Sequence, residues 1–147
     1  MRLQQWVDNK LLRPHETNVG EISKLLSIVD RDLLEARRVT SQDWQFSIAY
    51  SAALKLCTIL LYAAGYRAGS NGRHYYTIQS MPFILGEAYR NSAAYLDTCR
   101  KKRNTVTYDT VGVVTEDDIR ELIAFTESLR TDVIQWLNQQ HPEFLER

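Results

Sequence analysis

Between Ser41 and Gly65 the chain carries apolar residues on two helical rows at once, and nothing else in it limits the fold so strongly. One row runs Trp44, Ile48, Ala52, Leu56, Ile59 and Ala63; the other runs Phe46, Ala49, Ala53, Cys57, Leu60, Leu61 and Ala64. A helix apolar nearly all round must be surrounded by others, so this segment predicts the central helix of a packed bundle. Thr40 or Ser41 caps its start, with Asp43 placed to complete a capping box, and Gly65 is placed to end it. The flanking segments supply the shell. Ile22, Leu25, Leu26, Val29, Leu33 and Ala36 recur at helical spacing behind the cap candidates Thr17 and Asn18. After a glycine-bearing loop from Ala68 to Arg73, a short helical piece runs from Tyr75 to Leu85, disturbed by Pro82 and closed at Gly86. A further stripe runs through Leu85, Ala88, Tyr89, Ser92, Tyr95, Leu96 and Cys99. Thr115 and Asp118 form a capping box that opens a last helix through Leu137, ended before Pro142. Leu3, Trp6, Val7 and Leu11 suggest a short leading helix that stops at Pro14. No long segment alternates with period two. The expectation is an all-α, antiparallel up-and-down helical bundle of five to six helices, without strands, as a single domain over residues 1–147.

Composition narrows the setting. The longest unbroken apolar stretch is Ile59 to Ala64, against the ~18 residues of a membrane span, and no apolar segment follows Met1-Arg2 as a signal peptide requires. Cys57 and Cys99 stand apart, without a CxxC pair or a His at metal-ligand spacing. A cytoplasmic protein with no membrane contact, no metal and no cofactor is expected. The 18 basic and 18 acidic residues cancel, which argues against a strongly basic nucleic-acid binder, yet they are unevenly placed. Residues 66–103 hold seven basic and two acidic residues, whereas residues 104–147 hold three and nine. An anion-facing surface beside an acidic helix fits this pattern, and so does simple neutralisation of one helix by the other.

The segment from Arg100 to Asp109, followed by Val111-Gly112-Val113-Val114, carries the most chemistry. Arg103 and Tyr108 are five residues apart, roughly 140° around a continuous helix, so their side chains converge only if the helix breaks between them. The β-branched, glycine-containing run is read as that break. Guanidinium, amide and phenol from Arg103, Asn104 and Tyr108 would then hold a phosphate or a base edge, with Lys102 and Asp109 beside them. The plainer alternative is that Lys101, Lys102 and Arg103 complement the C-terminal end of a helix dipole.

Taken in order, Tyr50-Ser51-Ala52-Ala53-Leu54-Lys55, the Gly65-Tyr66-Arg67 stop, His74 after the glycine loop, Arg100 to Asp109, and the Thr115 helix leading to His141-Pro142 resemble the small bacterial and archaeal HEPN domains. The resemblance covers most of the chain. It implies an antiparallel helical bundle, a homodimer formed about the helices bearing the motif, and pairing with a small nucleotidyltransferase in a toxin-antitoxin-like two-component system. Some members are metal-independent ribonucleases that use an Arg, a following polar residue and a His four to six positions beyond the Arg. By resemblance, Arg103 and Asn104 match the first two.

The His is absent, and Tyr108 stands five residues beyond Arg103. An imidazole titrates near ~6.5 and a phenol near ~10, so Tyr108 is a poor base at neutral pH. His74 serves instead only if the fold brings it to Arg103; otherwise it is a surface or capping residue. The leading expectation is a HEPN-like protein that binds a nucleotide or RNA phosphate through Lys102, Arg103, Asn104, Tyr108, Asp109 and His74. One alternative is a metal-independent endoribonuclease toxin using Arg103 with Tyr108 or His74, and another is a dimeric scaffold that binds no such ligand. Tyr75 and Tyr76 are candidates for surface stacking on bases. Lys55, in the central helix, either snorkels to solvent, the favoured course, or places a cation at an internal polar site. Glu116-Asp117-Asp118 reads as a stabilised helix N-terminus.

Overall fold

The computed structural model describes residues 3–108 and 113–146, less the side chains of residues 106–108. Four long helices make an all-α bundle: α2 (Val19–Arg38), α3 (Gln42–Ala63), α6 (Arg90–Tyr108) and α7 (Glu116–Gln140). Helix α3 packs against each of the other three. Its Phe46, Tyr50, Leu56, Ile59 and Leu60 are sealed in one core with Ile22 and Val29 of α2, Leu96 of α6 and Leu122, Val133 and Leu137 of α7. By length and composition α3 is apolar enough to cross a membrane, and 61% of that apolar window lies buried within the bundle. Cys57 and Cys99 are buried free thiols whose pKa values burial pushes up to about 12 and about 11.

Short polar residues set the helix starts. The Asn18 side chain accepts from the Glu21 amide at 2.8 Å. Thr115 and Asp118 form the expected reciprocal box at the head of α7. Helix α3 begins one residue later than a Thr40–Asp43 box would place it, because Ser41 is the cap and accepts from the Trp44 amide. Lys55 takes the internal course while staying partly exposed: it turns toward α2, its Nζ 3.2 Å from Asp32 Oδ2 and 2.6 Å from Ser51 Oγ. Asp32 is buried, and an ammonium nearby offsets the cost of desolvating its charge.

Strands, not expected, are present. Leu12–Pro14 (β1) pairs antiparallel with Tyr66–Ala68 (β2), in the register Leu12↔Ala68, Arg13↔Arg67 and Pro14↔Tyr66. Three residues a side are too few to show a period-two pattern, which is why the ribbon was invisible to periodicity. The leading helix, α1 (Leu3–Asp8), accordingly stops short of Pro14, which belongs to the ribbon. Gly69 closes the ribbon: its amide donates to Leu11 O at 2.9 Å, and a Cβ there would lie 2.9 Å from the Lys10 carbonyl oxygen. Only glycine fits so close an approach.

The ribbon and its loop deliver the chain to two short helices, α4 (Arg73–Gln79) and α5 (Met81–Leu85). Gly72 enters α4 in the left-handed region, at φ 62°. Pro82 falls in the first turn of α5, where the lost amide has no helical partner to forfeit. Helix α4 rests on α3 and α6, and Tyr76 packs edge-on against Trp6 of α1.

The expected break after Arg103 is not there. Helix α6 runs unbroken to Tyr108, through Thr105, Val106 and Thr107. β-Branching lowers helix propensity by only a fraction of a kcal/mol per residue, about 0.7 at most, too little to interrupt an established helix.

Candidate functional site

A continuous α6 sorts its basic residues by face. Arg100, Arg103 and Asn104 stand at i, i+3 and i+4 and share the side turned to α3 and α4. Lys102 is rotated away; its Nζ lies 2.8 Å from Asp118 Oδ2 and ties α6 to the head of α7, so it is not part of the same cluster. That pair, backed by the amide of Thr115, lowers the Asp118 pKa. Lys101 is exposed, 3.6 Å from Asp97. Tyr108 follows Arg103 by about 140° on the helix, so the backbone does not bring the two together. Its side chain, and all of Asp109, lie outside the described residues.

His74 does reach the motif. It sits in the first turn of α4, with its Nδ1 3.5 Å from the hydroxyl of Tyr50. Tyr50 comes from the middle of α3, is 1% exposed, and receives the Arg103 guanidinium over its ring at 5.8 Å. One buried phenol thus joins the imidazole to the guanidinium. Burial holds the Tyr50 hydroxyl protonated, outweighing the pull of Arg100 and Arg103. His74 titrates below its ordinary value, first because it is half-buried and then because Arg103, Arg73 and Arg100 repel a positive ring. The ring is therefore neutral at pH 7. A hydroxyl can donate or accept, so Tyr50 supports either tautomer of His74, and Nε2 makes no hydrogen bond among the described residues.

Arg103 is held in an unusual way. Its Nε is buried without a hydrogen-bond partner, its one side-chain contact with Asn104 Oδ1 is long at 3.5 Å, and it meets no carboxylate among the described residues. Arg100, by contrast, donates to Asp97 at 2.7 Å and lies 5.7 Å over the ring of Tyr75. Tyr75 is 39% exposed, whereas Tyr76 is partly buried, with edge-on contacts to Trp6 and Tyr75.

Of these groups, His74, Tyr75, Arg100 and Asn104 line a cleft of about 250 Å³ together with Ser70, Gly72 and Arg73, while Arg103 and Tyr50 are not part of its wall. The guanidiniums of Arg73 and Arg100 and the imidazole of His74 line it, Arg103 is near enough to repel a charge on His74, and among the described residues the carboxylate of Asp97 pairs with Arg100. Such a cleft is suited to a small anion with several acceptor oxygens. Sequence reasoning missed Arg73, Arg100 and Tyr50. Arg100 was within reach of helical arithmetic, had α6 been taken as unbroken; Tyr50 was assigned to core packing, which it also serves.

The fold and site together define an all-α helical bundle bearing a cationic cleft with a neutral histidine at its edge. No family model, no curated protein and no solved structure matches the chain.

Proposed function

We propose that this protein binds the phosphate of a nucleotide or of RNA in the cleft between α4 and α6, with Arg103, Arg100, Arg73, Asn104 and His74 as its contacts. The observation that carries the reading is the state of Arg103: a half-buried guanidinium that meets no carboxylate among the described residues, beside a neutral imidazole and two more arginines. A bound phosphate supplies the missing charge and acceptors. With Nε2 protonated, His74 donates to it. The resemblance to HEPN domains supports the same ligand class, and by that resemblance the protein works as a homodimer paired with a small nucleotidyltransferase.

A second reading is favoured by the neutral, arginine-flanked His74: metal-independent RNA cleavage. In this reading Nδ1–H donates to the Tyr50 oxygen and Nε2 takes the proton of a ribose 2′-hydroxyl. That oxygen attacks the adjacent phosphorus while Arg103 stabilises the charge gathering on the phosphorane, and the bond to the 5′-oxygen breaks as the His74 imidazolium returns its proton to that oxygen. His74 takes the role once considered for Tyr108.

Melting temperature measured with and without nucleotide tests the first reading, since a ligand that favours the native state raises its stability. Stabilisation by AMP that disappears in Arg103→Ala supports it; no stabilisation by any nucleotide or RNA refutes it. Incubating purified protein with mixed RNA and a chelator tests the second. Cleavage lost in both Arg103→Ala and His74→Ala supports catalysis, and intact RNA refutes it.

A further inference from the structure

Behind His74 lies a second cavity, of about 240 Å³, between α3, β2 and α4. We propose that it is a nucleobase subsite selective for a base with an exocyclic amino group, and that it continues the phosphate cleft. The inference rests on the phosphate-binding reading and adds what kind of nucleotide the site selects.

Three observations carry it. Arg73 and His74 line both cavities, so a ligand whose phosphate meets them in the first can place its base in the second. The walls are of the right kind: Leu54, Leu61 and Tyr62 from α3 give apolar and aromatic surface for a flat ring. The polar groups are also biased in one direction. The Thr58 hydroxyl donates to Leu54 O at 3.0 Å and the Thr77 hydroxyl to Arg73 O at 2.7 Å. Each has committed its only proton to a helix carbonyl and retains lone pairs, so within the cavity these threonines act as acceptors. Adenine, cytosine and guanine carry an exocyclic amino group that can donate to them at the edge of the base, whereas uracil offers only its ring N3–H, set back between two carbonyl oxygens.

The electrostatics of the mouth agree with an anionic ligand. Arg67 lines the cavity and stands directly across the ribbon from Arg13, a like-charge pair that weakens the two-stranded sheet. Neither arginine makes an ion pair among the described residues. A nucleotide relieves that repulsion, where a neutral ligand would not.

The experiment compares three probes, AMP, UMP and ribose 5-phosphate, by calorimetric titration of the full chain and of Thr58→Val, which keeps the shape of the side chain and removes its oxygen. AMP is expected to bind at least about fivefold tighter than ribose 5-phosphate, from stacking of the base. It should bind about two- to tenfold tighter than UMP, from one hydrogen bond. In Thr58→Val the preference for AMP over UMP shrinks while ribose 5-phosphate binds as before. If AMP and ribose 5-phosphate bind equally, the base subsite is refuted and the phosphate site stands. If AMP and UMP bind equally, or Thr58→Val leaves their ratio unchanged, the selectivity is refuted. If none of the three binds, the phosphate reading falls and the subsite falls with it. The wild-type comparison decides the first two points even if the variant fails to fold.

Discussion

Arg103→Met separates an arginine kept for a ligand from one kept for the fold. Methionine retains most of the apolar stem, so the substitution removes little but the guanidinium. Three terms then compete. Losing the guanidinium over the Tyr50 ring costs about 1 kcal/mol, in the range for a partly desolvated cation–π contact. The 3.5 Å contact with Asn104 is too long to add much. Against these, the buried Nε that finds no acceptor ceases to be a penalty, a gain of about 1–3 kcal/mol. The sum runs from neutral to about 2 kcal/mol of stabilisation, or a Tm unchanged to about 6 °C higher for a chain of this size. An arginine that anchored a buried ion pair would instead lose about 3–5 kcal/mol. The assay is chemical and thermal denaturation in a buffer free of phosphate and sulfate, repeated with phosphate added. The wild type should gain about 2.7 kcal/mol at a phosphate concentration one hundredfold above its Kd, and Arg103→Met nothing. A loss of more than about 2 kcal/mol in the anion-free buffer, or an undiminished response to phosphate, would refute the reasoning.

The other predictions concern pH, the buried ion pair and the cap. The folded-state pKa of His74 lies below its unfolded value, so the unfolded chain binds more protons between the two, and stability present above pH ~6.5 is lost as pH falls toward the folded value. His74→Gln should flatten the stability profile between pH 7 and 5, and an NMR titration of the His74 ring should show its pKa rising when phosphate binds. Lys55→Met should cost about 3 kcal/mol by leaving Asp32 buried with only the side-on contact from Arg31; adding Asp32→Asn should recover at least half, read from urea midpoints. Thr115→Ala should cost about 1 kcal/mol in the same assay by opening the box at the head of α7.

The bundle was legible because its strongest signal, the two-rowed apolar stretch of α3, depends only on helical periodicity and burial. Its caps were legible to within one residue for the same reason, since Asn18, Ser41 and Thr115 act on amides two or three residues away. The ribbon was not. Leu12–Pro14 and Tyr66–Ala68 lie over fifty residues apart, and neither is long enough to announce its partner. The site divides in the same way. That Arg103 and Asn104 belong together could be read locally, but the treatment of Thr105–Thr107 as a break misplaced Lys102 and Tyr108, because a weak β-branched propensity was weighed above helix continuity. His74 needed the fold itself, since only the packing of α4 across α3 and α6 brings it to Tyr50 and Arg103.

That packing also explains how the protein keeps three guanidiniums near one imidazole with one carboxylate, Asp97, beside them among the described residues. Asp97 takes up part of the charge of Arg100, and Tyr50 offers Arg103 the face of its ring rather than a carboxylate. A ring face attracts a cation weakly and leaves its hydrogen-bond donors uncommitted, whereas a carboxylate would occupy them and fill the site with its own charge. The remaining repulsion adds to the effect of burial on His74, and together they favour its neutral form. On the proposed reading, an arriving phosphate attracts the guanidiniums and favours the imidazolium, so anion binding in this cleft should be accompanied by proton uptake at His74, measurable as a pH-dependent affinity.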